Sequence, residues 1–211
     1  MFRSIFRLLR QFGFDIIFRR KNRHNSVIPK SIFPINSVKI GSYTYGPLLI
    51  EWMASSNTKV EIGNYCSIGP KVTFLVGGEH NYKRISTWPF QTKVYEESSN
   101  SSINRDIIVE DDVWIGYDAL IMSGAVIGKG SVIGAKSVVK GVVPPYSIYV
   151  GSKVIKSRFN DSIISKIERI DYSHITHKRN DNYQKFCQTE LTEDNVDMII
   201  SSFENSEECE F

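Results

Sequence analysis

Residues 107–139 read IIVEDDVWIGYDALIMSGAVIGKGSVIGAKSVV, and an aliphatic residue returns every six positions: Val109, Ile115, Ile121, Ile127, Ile133 and Val139. Glycine follows at Gly116, Gly128 and Gly134, and a smaller or β-branched residue stands two places earlier, at Ile107, Val113, Ala119, Ala125, Ser131 and Ser137. Six is not the 3.6-residue period of an amphipathic helix. Nor is it simple strand alternation, because the pattern breaks at each glycine. A short strand followed by a sharp turn, repeated, accounts for both. Three such units close one triangular coil, with the aliphatic residue in the interior corner and the smaller one beside it. Gly or another turn-tolerant residue takes the positions that need positive φ. Stacked coils then bury one continuous core, as in other solenoids. An ordinary β-sandwich of short strands is the alternative, but it does not readily produce six consecutive in-phase repeats.

Working upstream, the pattern recurs at Ile62 and Ile68, followed by Gly63 and Gly69, with Phe74 next in phase and Val60, Cys66 and Val72 as companions. It then stops and resumes near Ile107. The interval, residues 75–106, is a loop with Gly77-Gly78, Pro89 and the polar run Glu96–Ser102. Loops of that length within a compact domain are usually functional or disordered. This one opens Gly77-Gly78-Glu79-His80 at the end of a coil, where a rigid scaffold holds it.

Composition bounds the rest. The 211 residues suit one domain with short appendages, and 41% hydrophobic with 23% charged residues fits an ordinary globular class. The net charge of +3 is unevenly spread. Residues 1–30 hold eight Lys/Arg and one Asp, whereas residues 192–211 hold seven Asp/Glu and no Lys/Arg. A basic head and an acidic tail therefore flank a near-neutral body. Cys66, Cys187 and Cys209 form no disulfide framework or CxxC pair, which favours a reducing, cytoplasmic location. No run of about 18 apolar residues is present, and the N-terminus lacks the apolar stretch and small-residue site of a signal peptide.

From these residues the sequence resembles the hexapeptide-repeat acyltransferases, in the xenobiotic acetyltransferase branch, and is similar to bacterial sugar and polysaccharide O-acetyltransferases. The resemblance runs from about Val60 to Phe159. It rests on VEIGNYCSIGPKVTFLVGGEHNY, STWPF, DDVWIGYDALIMSGAVIGKGSVIGAKSVV and VPPYSIYVG, in that order and spacing. It implies an all-β solenoid, a left-handed parallel β-helix with an extended excursion loop and flanking N- and C-terminal helices. It also implies a homotrimer with active sites between subunits, acetyl-CoA as co-substrate and His80 as the catalytic histidine. Hexapeptide-repeat carbonic anhydrases bind zinc through three histidines. Here only His80 of His24, His80, His174 and His177 lies in the repeat region, so no metal is expected.

Acetyl transfer from a thioester to a hydroxyl needs a base, a role suited to imidazole with its ordinary pKa near 6.5. No Ser-His or Cys-His nucleophile pair accompanies His80, so direct attack by the acceptor with His80 as general base is the expected route. Glu79 either orients the imidazole or is solvated. Tyr82, Trp88 and Phe90 are candidate acceptor contacts: Trp88 either stacks on a sugar ring or, with Phe90, anchors the loop. For CoA the resemblance points to Gly116, Tyr117, Ala135 and Lys140, with Lys153 and Lys156 placed to meet phosphates. The chain departs from the family there, having VGSKVI where a longer GGNPAKVI is usual and Lys140-Gly141-Val142 in place of TKD. Trp114 is read first as a packing residue, against the loop or the neighbouring subunit, and second as a binding residue.

The expected organisation is a basic, apolar segment 1–35, a catalytic β-helix 36–158 with its loop at 75–106, and a helical extension 159–211 with an acidic tail. The N-terminal helix either caps the solenoid or lies on a membrane surface. At the other end Asp161 is the expected cap of a helix carrying Ile163, Ile164, Ile167 and Ile170. A second helix is expected near Thr192, with Val196, Ile199 and Ile200 on one face. The functional expectation is O-acetylation of a sugar hydroxyl, of a capsule or O-antigen polysaccharide, in the cytoplasm or peripherally at the inner face of the membrane. The partners would be acetyl-CoA and a glycan acceptor, with no nucleic acid. The alternatives are acetylation of an antibiotic of the chloramphenicol or streptogramin type, N-acetylation of an amino sugar, and a non-catalytic trimeric scaffold.

Overall fold

The computed structural model describes residues 2–54, 57–80, 82–95, 105–174 and 188–204. The polar run 96–102, His177, Cys187 and the acidic end 205–211 with Cys209 lie outside the described residues. Helix α1 (Phe2–Lys21) precedes strands β1 (Ser26–Pro29), β2 (Val38–Ile40) and β3 (Tyr45–Met53). Then come β4 (Val60–Ile62), β5 (Ser67–Ile68) and β6 (Thr73–Gly77), and within the excursion the single-turn helix α2 (Phe90–Lys93). The repeat continues as β7 (Ile107–Val109), β8 (Trp114–Ile115), β9 (Leu120–Met122), β10 (Val126–Ile127), β11 (Val132–Ile133) and β12 (Val138–Val139). It closes with β13 (Val142–Val143), β14 (Ser147–Val150) and β15 (Lys153–Ser157), followed by helices α3 (Asp161–Ile167) and α4 (Val196–Glu204).

The strands form three parallel ladders that the chain visits in turn. The first is β2, β4, β7, β10 and β13. The second starts at β1, which pairs with the beginning of β3, and continues through β5, β8, β11 and β14. The third starts at the end of β3 and continues through β6, β9 and β12. Like residues stack on like: Ile62 on Val109 on Ile127 on Val143, and Phe74 on Ile121 on Val139. These side chains are 0–3% exposed and belong to one cluster filled from all three ladders. Burying each aliphatic side chain contributes about 1.5–3 kcal/mol, so the period-six pattern is the energetic core of the domain.

The companion positions explain their own chemistry. Ser131 Oγ donates to Pro144 O at 2.9 Å, and Ser137 Oγ accepts from Gly151 N at 3.1 Å, so the buried hydroxyls are partnered. Cys66 is fully buried with its thiol pushed up to about 12 by desolvation, an inert packing residue.

Turns between ladders need left-handed residues, and these line up. The first corner carries Tyr43, Tyr65, Asp112, Gly130 and Tyr146, all with φ between 53° and 66°. The second carries Lys71, Asp118 and Lys136, with φ between 58° and 62°. The third carries Gly124 at 82° and Gly141 at 77°. One coil is irregular: Ile127 pairs with Val143 only 16 positions on, whereas Val109 pairs with Ile127 at 18. The two-residue shortening falls at Lys140-Gly141.

The ends depart from the repeat. β15 turns back antiparallel on β14, which the spacing did not foretell. Asn160, not Asp161, caps α3, its side chain accepting from Ile163 N; Asp161 is the first helical residue, where its charge meets the positive end of the dipole. Ile163, Ile167, Val196 and Ile200 pack with Tyr146 in a second cluster. The following segment is tied to the first corner, where Tyr172 Oη donates to Asp112 Oδ2 at 3.1 Å and Arg158 lies 3.6 Å from the same carboxylate. At the N-terminal end Phe14 and Phe18 of α1 join the main cluster against Phe33, with ring centroids at 5.0 and 6.0 Å.

Candidate active site

The excursion leaves from the third corner, directly after β6. That strand is longer than the ordinary repeat strand because it pairs with β3 through Met53 opposite Gly77. Gly77 and Gly78 then take φ of 79° and 82°, and a Cβ on Gly77 would stand 2.8 Å from the Ala54 backbone. Only glycine allows the chain to turn away so close to its neighbour.

His80 is the second residue beyond that bend. Its imidazole is exposed, and Nδ1 lies 2.6 Å from the Thr87 carbonyl oxygen. A carbonyl only accepts, so Nδ1 carries the proton and donates it. In the neutral imidazole Nε2 then keeps its lone pair, which is the form a general base requires. Thr87, not Glu79, supplies this hydrogen bond; Glu79 is half-buried. The next residues form a compact aromatic knuckle. Trp88 N donates to Ser86 Oγ, and the Trp88 and Phe90 rings meet edge-on with centroids 4.5 Å apart. Both rings remain about half exposed, while Tyr82 is 76% exposed.

The expected CoA contacts divide between places. Gly116, Tyr117 and Ala135 lie along the second corner in successive coils. Gly116 N donates to Ile133 O at 2.7 Å, and a Cβ on Gly116 would sit 2.7 Å from Ala135 N. Gly134 N donates to Tyr149 O, carrying the same column to the Gly151-Ser152 turn, after which Lys153 follows. Lys140 is exposed at the third corner, the one from which the His80 loop departs. Lys156 is exposed on β15, opposite Ile148. His80 and the Gly116–Ala135 column thus occupy opposite ends of the third ladder. Thr73 to Gly77 spans about 13 Å at about 3.3 Å per residue.

The second corner also holds charges that the sequence reading missed. Lys71 lies 5.3 Å from the Tyr117 ring centroid, and Lys136 Nζ reaches Asp118 Oδ2 at 2.7 Å. Their mutual hydrogen bond holds Asp118 below and Lys136 above their ordinary values, and a hydrogen bond to Tyr117 raises Lys71. The signal was present: Lys71, Asp118 and Lys136 each stand two places after Gly69, Gly116 and Gly134. Among the described residues, no three His, Cys, Asp or Glu side chains are grouped to hold a metal.

Residues 106–141 match the family described as bacterial transferase hexapeptide (six repeats). A chloramphenicol acetyltransferase of Morganella morganii is 38% identical over 123 residues, covering 54% of this chain and 59% of that protein. A probable macrolide acetyltransferase of Lysinibacillus sphaericus is 37% identical over 123 residues, covering 54% of this chain and 68% of that protein. The chain thus spans little more than half the length of the chloramphenicol acetyltransferases that it matches. In fold it is similar to a hexapeptide-repeat containing acetyltransferase of Vibrio cholerae, with a TM-score of 0.52 and 24% identity over 69% of this chain and 79% of that one.

Proposed function

The chain belongs to the bacterial hexapeptide-repeat transferases, and we propose that it is an acetyl-CoA-dependent O-acetyltransferase acting on a sugar hydroxyl of a surface polysaccharide. The observation that carries the reading is the 2.6 Å contact of His80 Nδ1 with Thr87 O, just beyond the end of a coil, which in the neutral imidazole leaves Nε2 as the acceptor. Nε2 takes the proton of the acceptor hydroxyl as its oxygen bonds to the acetyl carbon. The C–S bond of the thioester then breaks, and the imidazolium returns the proton to the leaving thiolate. The products are an acetyl ester and free CoA.

The coils are read as a closed left-handed solenoid, and the assembly as a homotrimer. The placement of the site supports the trimer. The base leaves one corner and the backbone column of Gly116, Tyr117 and Ala135 lines another, so one chain offers two half-sites facing different ways. A second copy brings the two together. In that cleft the column holds the pantetheine arm, while Lys140, Lys153 and Lys156 meet the phosphates. Glu79, Tyr82, Trp88 and Phe90 face the acceptor, and the Trp88 ring offers an apolar face for a pyranose.

Antibiotic acetylation is the second reading, favoured by relatives named chloramphenicol and macrolide acetyltransferases. One assay separates the readings: release of CoA thiol from acetyl-CoA across sugars, glycan fragments, chloramphenicol and a macrolide. Turnover on glycans alone supports the first reading, and turnover on an antibiotic alone supports the second. No turnover with any acceptor, together with no acetyl-CoA binding, would leave a non-catalytic scaffold.

A further inference from the structure

Helix α1 has two unlike faces. Phe14 and Phe18 turn inward to Phe33 and seal the first coil. On the rest of the helix Phe6, Leu8, Leu9, Phe12 and Ile17 are 51–71% exposed, and Ile16 is 40% exposed. Leu9, Phe12 and Ile16 follow i, i+3, i+7 spacing, so they share one stripe, roughly opposite Phe14 and Phe18. An apolar stripe of that size on an otherwise polar surface marks a place of contact.

Charge identifies what contacts it. Residues 1–30 carry eight Lys/Arg against one Asp. That acid, Asp15, accepts a hydrogen bond from Gln11. Arg19 is turned inward onto the carbonyls of Asn22, Asn25 and Val27, and Lys21 reaches Asn36. Arg10 and Arg20 are exposed on the helix, and Arg23 is exposed just beyond its end. A second copy of the same helix would bring like charge against like charge, whereas an anionic headgroup layer complements it. No helix among the described residues is long and apolar enough to cross a membrane, which leaves binding in the plane of the surface.

The position of α1 gives this a functional consequence. The helix packs on the first coil, and β3 of that coil pairs directly with β6 of the second, whose Gly77 leads to His80. The base therefore departs one strand spacing, about 4.8 Å, from β3 and about two from β1, the strand that Arg19 of α1 contacts. β13 and β14, at the far end, lie about three spacings further on. Helix and base share one end of the solenoid.

We propose that the outer face of α1 docks on an anionic lipid bilayer, and that this sets the His80 loop at the headgroup layer to acetylate a sugar carried on a membrane lipid. The proposal rests on the sugar O-acetyltransferase reading and specifies where its acceptor is presented.

The test is flotation of the full-length protein with vesicles of phosphatidylcholine containing about one-third phosphatidylglycerol, against vesicles of phosphatidylcholine alone. Wild type floats with the anionic vesicles only, and high salt releases it. The double variants L9S/F12S and R10E/R20E each lose about tenfold or more of the bound fraction, with unchanged elution in size exclusion. Absence of flotation with anionic vesicles, or equal binding by R10E/R20E, overturns the bilayer as occupant. A smaller assembly for L9S/F12S assigns the stripe to a second copy instead. These outcomes do not depend on catalysis, so they stand apart from any failure of the acetyl-transfer assay. The acceptor is tested with a glycolipid in the same vesicles against its free glycan. Wild type turns over the vesicle-borne form faster, and R10E/R20E loses that advantage while keeping its rate on the free glycan. Equal rates of wild type on both forms refute the presentation of the acceptor at the membrane.

Discussion

Replacing His80 by Asn separates the two things that the imidazole does. An asparagine amide nitrogen falls close to where Nδ1 stands, so it can still donate to Thr87 O, now at 2.6 Å from Nδ1, and hold the loop. It has no group at the Nε2 position and no basic lone pair. Ala removes both functions. Gln places its amide near Nε2, gives up the Thr87 bond and is also not a base. The loop hydrogen bond is exposed, so its loss costs at the low end of about 0.5–1.5 kcal/mol and barely alters stability. Loss of general-base catalysis costs about 10²- to 10⁴-fold, or about 2.7–5.5 kcal/mol in barrier at about 1.36 kcal/mol per decade. All three variants therefore lose kcat by two to four orders of magnitude. The Asn variant keeps the acceptor KM closest to wild type, because its loop is still tied down. Acetyl-CoA affinity, measured by calorimetry, changes little in any of them, since the Gly116–Ala135 column lies at another corner. A His80→Asn protein with near-normal kcat would show that the Thr87 hydrogen bond is the whole role of this residue.

Three further outcomes follow from the coils. Ile121→Ala, between Phe74 and Val139 and 0% exposed, lowers unfolding free energy in urea by about 2–5 kcal/mol, while Val142→Ala, 73% exposed, stays within about 0.5 kcal/mol. Gly116→Ala puts a methyl 2.7 Å from Ala135 N and 2.8 Å from Ile133 O; the coils must part there, and KM for acetyl-CoA rises with less change in kcat. Burial raises the Asp112 pKa, although Arg158 and Tyr172 pull it down. The folded protein then holds that proton more tightly than the unfolded chain, so the contribution of Asp112 to stability falls as pH rises from the unfolded value through the folded one. Asn tolerates the 58° φ, so the difference in melting temperature between wild type and Asp112→Asn shifts in favour of Asn as pH rises from 4 to 7; a pH-independent difference would contradict this.

The coils were legible because their rule is local. A buried aliphatic at every sixth residue and a turn residue three positions away fix ladder, register and corner together, so Ile62, Val109 and Ile127 stack without knowledge of the rest of the chain. What escaped depends on residues that meet only after folding. The Asp112–Arg158–Tyr172 group joins a corner to two points in the C-terminal segment, and no spacing predicts it. The cap at Asn160 was missed by one place because Asn and Asp are near-equal as caps, and the choice is made by where the chain leaves β15. At the site, Gly116 and Ala135 could be set one coil apart from the period alone. The Thr87 carbonyl could not, since it depends on the path of a loop that obeys no repeat.

That division bears on how such a chain acquires a substrate. The repeat strands bury their aliphatic residues in a shared core, and their backbones are pinned by neighbouring coils at contacts as close as those at Gly63 and Gly116. Such a scaffold can present a column of amides at a corner, but it has little freedom to reshape a pocket. The variable chemistry must enter where the coil rule lapses. Among the described residues, three such places lie near His80: the excursion after Gly77, the shortened corner at Lys140-Gly141, and α1 beneath the first coil. The first carries His80 and the exposed aromatic rings, the second a lysine at the same corner, and the third an apolar, basic face at the same end of the stacked coils. On the proposed reading, acceptor choice belongs to residues 78–95 and to α1, and exchanging those segments between two repeat proteins of this type should carry the acceptor preference with them while leaving acetyl-CoA affinity unchanged. A chimera that keeps the acceptor preference of its coils would place specificity in the repeat itself.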